Sequence, residues 1–263
     1  MKGVVPVTLG LIGFGAMARD IVACFPSGEI DWRVLRRGNA TRDLPEGIHA
    51  VDSLGALIAS RPHLVVEAAG HDAVRTCLPP LLAAGIPVVM ASVGALADPA
   101  TFAAIDSARR AARVPLVLPS GAVGGLDYLS AIGHLPDAEI VYTARKPPVA
   151  FSSDLAAQAR ETGQAITLFQ GTAQEAAQLY PKNLNVAFSI ALAAYPSPVT
   201  VRVVADPAAT GNQHEIAVSS TVGTALFTLC NRPAPTNPQT SAVTAMSMAA
   251  AVRRVLQERE MGA

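Results

Sequence analysis

The sequence predicts an α/β protein, a doubly wound parallel sheet followed by a second α+β domain. Three observations carry that prediction. An apolar run from Val7 to Ile12 stops at Gly13-Phe14-Gly15 and gives way to a helical pattern opened by small residues, Ala16 and Ala18. Further apolar runs at Leu64 to Ala69, Ile86 to Ala91 and Val114 to Leu118 alternate with helical patterns, as strands buried on both faces of a parallel sheet require. Past Pro119 the texture changes to runs in which apolar and polar residues alternate, the mark of a sheet with two unlike faces.

The first element reads as strand, turn and helix, with a second strand at Asp31 to Leu35 after a helix at Ala16 to Phe25. Gly13, Gly15 and Ala18 fit the G-x-G-x-x-[GA] spacing of a dinucleotide-binding turn. The first glycine permits the tight turn, the second lets a pyrophosphate approach bare backbone, and the small third residue lets helix and strand pack closely. The free N–H groups and positive dipole end of the helix then face the phosphates. Gly13, Gly15, Ala16 and Met17 are the predicted contacts. The same stretch mimics a signal peptide cleaved after Ala18, but one lysine is a poor basic region, glycines and a proline interrupt the apolar run, and cleavage would remove the first strand.

Helical patterns follow at Ala73 to Ala84 and Pro99 to Ala112. Pro87 and Pro115 sit at strand starts, where a missing N–H is tolerated, whereas Pro79-Pro80 should kink or divide the helix that contains them. This half is a Rossmann-type domain. In the second half, strands are expected at Val199 to Val204, Glu215 to Val222 and Ala225 to Cys230, and a long helical pattern from Gln174 to Ala194 is interrupted by Pro181. Asn237-Pro238 offers an N-cap and a first-turn proline for a last helix, Thr240 to Leu256, which packs back on the first domain. The expected division is therefore 1–119 plus 238–263 for the dinucleotide-binding domain and 120–237 for the catalytic and dimerisation domain.

Composition narrows the class. With 263 residues, 51% hydrophobic and only 15% charged, the chain can bury one large core or two moderate ones, and its surplus of apolar surface suggests an oligomer. A net charge of zero argues against nucleic acid and membrane surfaces as partners, and no apolar span suits a membrane helix. Cys24, Cys77 and Cys230 form neither a disulfide framework nor a metal pattern, so a reducing, cytoplasmic setting and no metal are expected. The partner is a small molecule.

Ligands in open α/β sheets lie beyond the carboxyl ends of the strands, which nominates Ala69-Gly70-His71, Ser92-Val93-Gly94-Ala95 and Ser120-Gly121-Ala122. His71 reads as a helix cap. The tip of the second strand, Leu35-Arg36-Arg37-Gly38, lacks the acidic residue that holds ribose hydroxyls, and Arg36 lies 21 positions after Gly15, near the discriminating position. Arg36 and Arg37 therefore predict that NADP is accepted as well as NAD. Of five histidines, His49, His63 and His134 have loop or helix-end settings, while His214 stands where a turn meets an alternating strand, a rigid base from which a side chain can reach a cleft.

Several longer blocks resemble the L-aspartate dehydrogenase family: Val65-Val66-Glu67-Ala68-Ala69, Ala91-Ser92-Val93-Gly94-Ala95-Leu96-Ala97-Asp98 and Pro119-Ser120-Gly121-Ala122-Val123-Gly124-Gly125-Leu126-Asp127 in the first part, then Arg145-Lys146-Pro147-Pro148, Pro181-Lys182-Asn183-Leu184-Asn185-Val186, His214-Glu215-Ile216, Asn231-Arg232-Pro233 and Asn237-Pro238-Gln239-Thr240-Ser241. They run in family order over nearly the whole chain. The resemblance implies a Rossmann domain with an α/β catalytic domain, a homodimer, and reversible oxidative deamination of L-aspartate with NAD or NADP, giving iminoaspartate or oxaloacetate and ammonia. It further implies that the released imine can feed pyridine nucleotide biosynthesis. By the same resemblance His214 matches the catalytic histidine, and Ala122 and Asn185 match cofactor contacts. The Arg36-Arg37 pair departs from family versions with an acidic NAD determinant.

For the two carboxylates of aspartate the sequence offers Ser120, Lys146 and Lys182 as donors or cations. A histidine with a pKa near neutrality suits the movement of protons on and off nitrogen and water. Two other readings share the glycine turn: a reductase of the homoserine dehydrogenase or dihydrodipicolinate reductase kind, and a non-catalytic NADP sensor, which would need cofactor binding but not His214.

Overall fold

In the computed structural model, which describes residues 7–36, 44–151, 153–179 and 184–262, the first apolar run is β1 (Val7–Ile12) and the pattern after the glycine turn is α1 (Ala16–Val22). There follow β2 (Ile30–Leu35), β3 (Ile48–Val51), α2 (Leu54–Ala59), β4 (Val65–Glu67), α3 (His71–Ala83), β5 (Val88–Met90), α4 (Pro99–Ala112) and β6 (Leu116–Val117). The six strands form one sheet in the order β3-β2-β1-β4-β5-β6, every pair parallel. Strand order reverses between β1 and β4, and the crevice at such a switch point is where dinucleotides bind.

Local signals explain these elements. Asp98 caps α4 by accepting from the Thr101 N–H at 3.0 Å, Pro99 takes the first turn, and Arg113 ends the helix in the left-handed conformation. Sequence periodicity missed β3 and α2. β3 has only four residues, with His49 and Ala50 exposed, and α2 announces itself only through the Ser53 cap on the Ala56 N–H. Pro79 and Pro80 do not divide α3. The carbonyls that lose their donors belong to Arg75 and Thr76, both exposed, so water can satisfy them while buried Leu78, Leu81 and Leu82 hold the inner face.

The remaining elements are α5 (Leu126–Ile132), β7 (Glu139–Lys146), α6 (Asp154–Thr162), β8 (Ile166–Thr172), α7 (Ala173–Leu179), α8 (Leu184–Ala194), β9 (Val199–Ala205), β10 (Asn212–Ser220), β11 (Gly223–Asn231), the short pair β12 (Pro233–Ala234) and β13 (Asn237–Ser241), and α9 (Val243–Gly262). Strands β11-β10-β7-β9-β8 make a mixed sheet in which only β7 and β9 run parallel. One face buries Ile140, Tyr142, Val199, Val201, Ile216 and Val218 against Leu129, Ile132, Ala187 and Ile190 from α5 and α8. Along β11 the other face exposes Thr224, Leu226, Thr228 and Cys230.

Chain contacts separate two units, Met1–Gly121 with Thr244–Ala263, and Ala122–Val243. In the first, α9 returns to the parallel sheet, where Met248, Ala249 and Val252 join Leu9, Leu11, Ile21, Trp32 and Val34 in one core. Removing such side chains from water contributes about 2 kcal/mol each. The last helix starts later than its sequence signal. Asn237-Pro238 opens β13 instead of capping a helix, and the Ala242 N–H donates to the Arg232 carbonyl at 2.9 Å before α9 begins. Asn and Pro serve turns as readily as caps, so pairing with β12 decides their use.

Candidate active site

At the end of β1, Gly13 has φ +85°, and a Cβ there would stand 2.8 Å from the Ala69 Cβ and 3.0 Å from the Ala68 carbonyl oxygen. Glycine alone lets the carboxyl ends of β1 and β4 come this close. Gly15 is different: it caps α1 with an ordinary φ of −79°, and among the described residues no side chain caps the helix and a Cβ would meet nothing within 4 Å. The turn thus leaves bare backbone beside open space, as a pyrophosphate requires, and Gly13, Gly15, Ala16 and Met17 fit a dinucleotide.

Glu67, the last residue of β4, is fully buried and organises the neighbouring strand ends. Its Oε1 accepts from the Ala69 and Gly70 N–H groups, each at 2.8 Å, and from the Ser92 hydroxyl at 3.0 Å, while Oε2 accepts from the Ser92 N–H at 2.9 Å. This fixes Ala69 at the switch point. His71 does not cap α3; Gly70 occupies the cap and His71 is the first helical residue. Ser120 lies within hydrogen-bond reach of the Ser247 hydroxyl on α9, 3.1 Å away, and the same hydroxyl accepts from the Gly121 N–H at 3.0 Å. At the tip of β2 the Arg36 guanidinium lies 5.8 Å from the centre of the Phe14 ring, a cation–π contact that holds it beside the glycine turn. Arg37 lies outside the described residues, as does Lys182.

In the second unit, His214 is the third residue of β10 and is buried, at 5% exposure. Its Nδ1 is 2.8 Å from the Tyr142 hydroxyl, and its Nε2 is buried with no hydrogen-bond partner among the described residues. Burial, helped by the positive charge of Lys146, lowers its pKa to about 4. A pKa near neutrality was expected, so the structure corrects that point: the ring is uncharged at physiological pH, because desolvation disfavours the cation. Lys146 ends β7 and is half-buried. Ala122 is buried, and its carbonyl accepts from the Asn231 side-chain amide at 2.6 Å. Asn185 is exposed, the second residue of α8.

Sequence reasoning missed the roles of Glu67, Tyr142 and Ser247. Glu67 stands out as the one acid in an otherwise apolar run, and Tyr142 belongs to the alternation along 139–146, whose Arg145-Lys146 end carries part of the family resemblance. Nothing in the local sequence marks Ser247.

Residues 13–119 match the family described as homoserine dehydrogenase, NAD binding domain, and residues 127–255 match aspartate dehydrogenase, C-terminal. With the glycine turn and the six-stranded parallel sheet, these matches define an enzyme class, the NAD(P)-dependent amino-acid dehydrogenases. The chain is 40% identical to L-aspartate dehydrogenase 2 of Bordetella bronchiseptica, over 97% of its own length and 98% of that protein, and 39% identical to L-aspartate dehydrogenase of Ruegeria pomeroyi, over 94% and 92%. It belongs to the L-aspartate dehydrogenase family. The crystal structure of aspartate dehydrogenase from Thermotoga maritima superposes with a TM-score of 0.76 at 27% identity, covering 97% of each chain. The homoserine dehydrogenase family match covers the cofactor-binding half, residues 13–119, while the C-terminal match is to aspartate dehydrogenase.

Proposed function

We propose that the chain catalyses the reversible oxidative deamination of L-aspartate, to iminoaspartate and then oxaloacetate and ammonia, with NAD or NADP. The observation that carries this reading is His214: a buried, uncharged imidazole whose Nε2 has no hydrogen-bond partner among the described residues, in a chain that is 40% identical to an L-aspartate dehydrogenase over nearly its full length.

The nicotinamide, when bound, supplies the hydride acceptor for the substrate Cα. Gly13, Gly15, Ala16, Met17 and Ala69 hold the dinucleotide, with Ala122 and Asn185 as further contacts. Arg36 and Arg37 make room for a 2′-phosphate, so NADP is used at least as well as NAD. His214 engages the reacting nitrogen and oxygen through Nε2. Ser120, Lys146 and Lys182 are the candidates for the substrate carboxylates, since two charges entering a protein site need cations or N–H and O–H donors.

The enzyme acts as a cytoplasmic homodimer. Cys24, Cys77 and Cys230 are free thiols, which suits a reducing compartment. Among the described residues no helix is long and apolar enough to cross a membrane. Leu226, 65% exposed on the outer face of β11, supports that sheet face as the dimer contact.

The test is the absorbance of reduced nicotinamide with purified protein, L-aspartate and either cofactor, then with oxaloacetate, ammonia and the reduced cofactors. Turnover in both directions is expected. Cofactor binding with no turnover on aspartate, while homoserine or dihydrodipicolinate reacts, would overturn the assignment; binding with no turnover on any amino or keto acid would favour a sensor.

A further inference from the structure

Strand register makes Tyr142 and His214 diagonal neighbours. His214 pairs with Ala144 and Ile216 with Tyr142, so the two side chains leave the same face of adjacent antiparallel strands. The rings lie 19° from parallel with centres 6.0 Å apart, and the phenol oxygen is 2.8 Å from Nδ1. Two proton arrangements suit that distance. If the phenol donates, Nδ1 is the acceptor, the ring hydrogen sits on Nε2, and both the phenol and Nδ1 are satisfied. If Nδ1 donates, the phenol hydrogen is left over in a fully buried position, where the hydroxyl has no second partner among the described residues. Each arrangement leaves one buried donor without an acceptor among the described residues, Nε2–H in the first and the phenol O–H in the second, but the second also strands the Nε2 lone pair, so the first leaves fewer polar groups unmet and wins.

The alternatives that involve charge are closed as well. Burial pushes the Tyr142 pKa far above its usual value, so the phenol keeps its proton. The imidazolium is disfavoured by burial and by Lys146, the charged group that acts on the ring from β7.

We propose that Tyr142 is the positioning residue for His214: by donating to Nδ1 it holds the neutral ring as the Nε2–H tautomer, so that His214 meets the substrate as a hydrogen-bond donor. This rests on the assignment of His214 to the reacting centre. A donor at Nε2 is matched to an electron-rich oxygen, either a substrate carboxylate or the oxygen on the reacting carbon after water has added to the imine, where developing negative charge is stabilised without formal proton loss from the ring. The phenol works through the imidazole and does not touch substrate.

The experiment uses the full-length protein and the variants Tyr142→Phe and His214→Ala. In the wild type near neutral pH, the 15N shifts of His214 should be imine-like at Nδ1 and pyrrole-like at Nε2. In Tyr142→Phe the two shifts should move towards each other as the tautomers mix, and kcat should fall about tenfold with the cofactor KM unchanged. A ring proton found on Nδ1 of the wild type overturns the proposal, and so does a Tyr142→Phe variant with wild-type kcat when His214→Ala is inactive. Should Tyr142→Phe not fold, the wild-type shifts alone decide. If His214→Ala turns over like the wild type, the assignment of His214 to the reacting centre fails, while the shifts still decide which residue sets its tautomer.

Discussion

Glu67 and Ser92 lock together the carboxyl ends of two adjacent parallel strands: one carboxylate oxygen accepts the Ser92 backbone N–H at 2.9 Å and the other accepts the Ser92 hydroxyl at 3.0 Å. The carboxylate also gathers the Ala69 and Gly70 N–H groups, so a single buried side chain sets the shape of the switch-point crevice. It can do so because an ionised carboxylate is an acceptor only, with room for four donors.

Replacing Glu67 with Gln puts an amide NH2 where a donor already points. We expect Glu67→Gln to lose about 3 kcal/mol of unfolding free energy, since hydrogen bonds to charged groups are worth roughly 1.5–3 kcal/mol and an unmatched buried donor adds its own cost. The cofactor KM should rise with it. Denaturant titration checks the first claim; a midpoint equal to the wild type would remove Glu67 from the organisation of the crevice.

The two glycines of the turn should fail differently. Gly13→Ala demands both a left-handed backbone and a Cβ 2.8 Å from that of Ala69, so it should cost about 3 kcal/mol in stability. Gly15→Ala keeps an allowed φ and meets none of the described residues, so its unfolding free energy should stay within about 1 kcal/mol of the wild type while dinucleotide affinity falls about tenfold or more. Thermal melts paired with cofactor titration separate the two; unimpaired binding by folded Gly15→Ala would show that the open space is not the pyrophosphate site.

On the proposed assignment, Arg36 discriminates between the cofactors. Arg36→Ala should raise the KM for NADP by about tenfold or more, the worth of a charge-assisted contact to phosphate, and leave that for NAD nearly unchanged. Steady-state kinetics with both cofactors tests this. An equal rise for both would make Arg36 part of the general dinucleotide site.

His214 also links stability to pH. Its folded pKa of about 4 lies below the unfolded value of 6.5, so between those values the unfolded chain binds more protons and stability rises with pH. The contribution is fully present above about pH 6.5 and is lost as pH falls towards 4, to a total of about 3 kcal/mol. His214→Gln should flatten this part of the stability profile. Parallel melting curves for wild type and variant across that window check it, and identical slopes would mean that the imidazole is not desolvated in the fold.

What the sequence by itself determined is whatever depends on near neighbours in the chain. β1 and α4 begin and end where the apolar run, the Asp98 cap and Pro99 dictate, and the glycine spacing announced the dinucleotide turn, because each is a local choice of backbone conformation or burial. His214 stood out through its block and its place near a turn. Only the tertiary structure decided what depends on residues far apart. It moved the start of the last helix by pairing Asn237–Ser241 with Pro233–Ala234, made Glu67 a junction for residues up to Ser92, and brought Tyr142 to Nδ1 of His214 through the register of β7 and β10. Burial did the rest: the same imidazole that reads as a neutral-pH acid–base group in the sequence becomes an uncharged one once desolvation is imposed on it, and desolvation is a property of the packed structure and not of the residue.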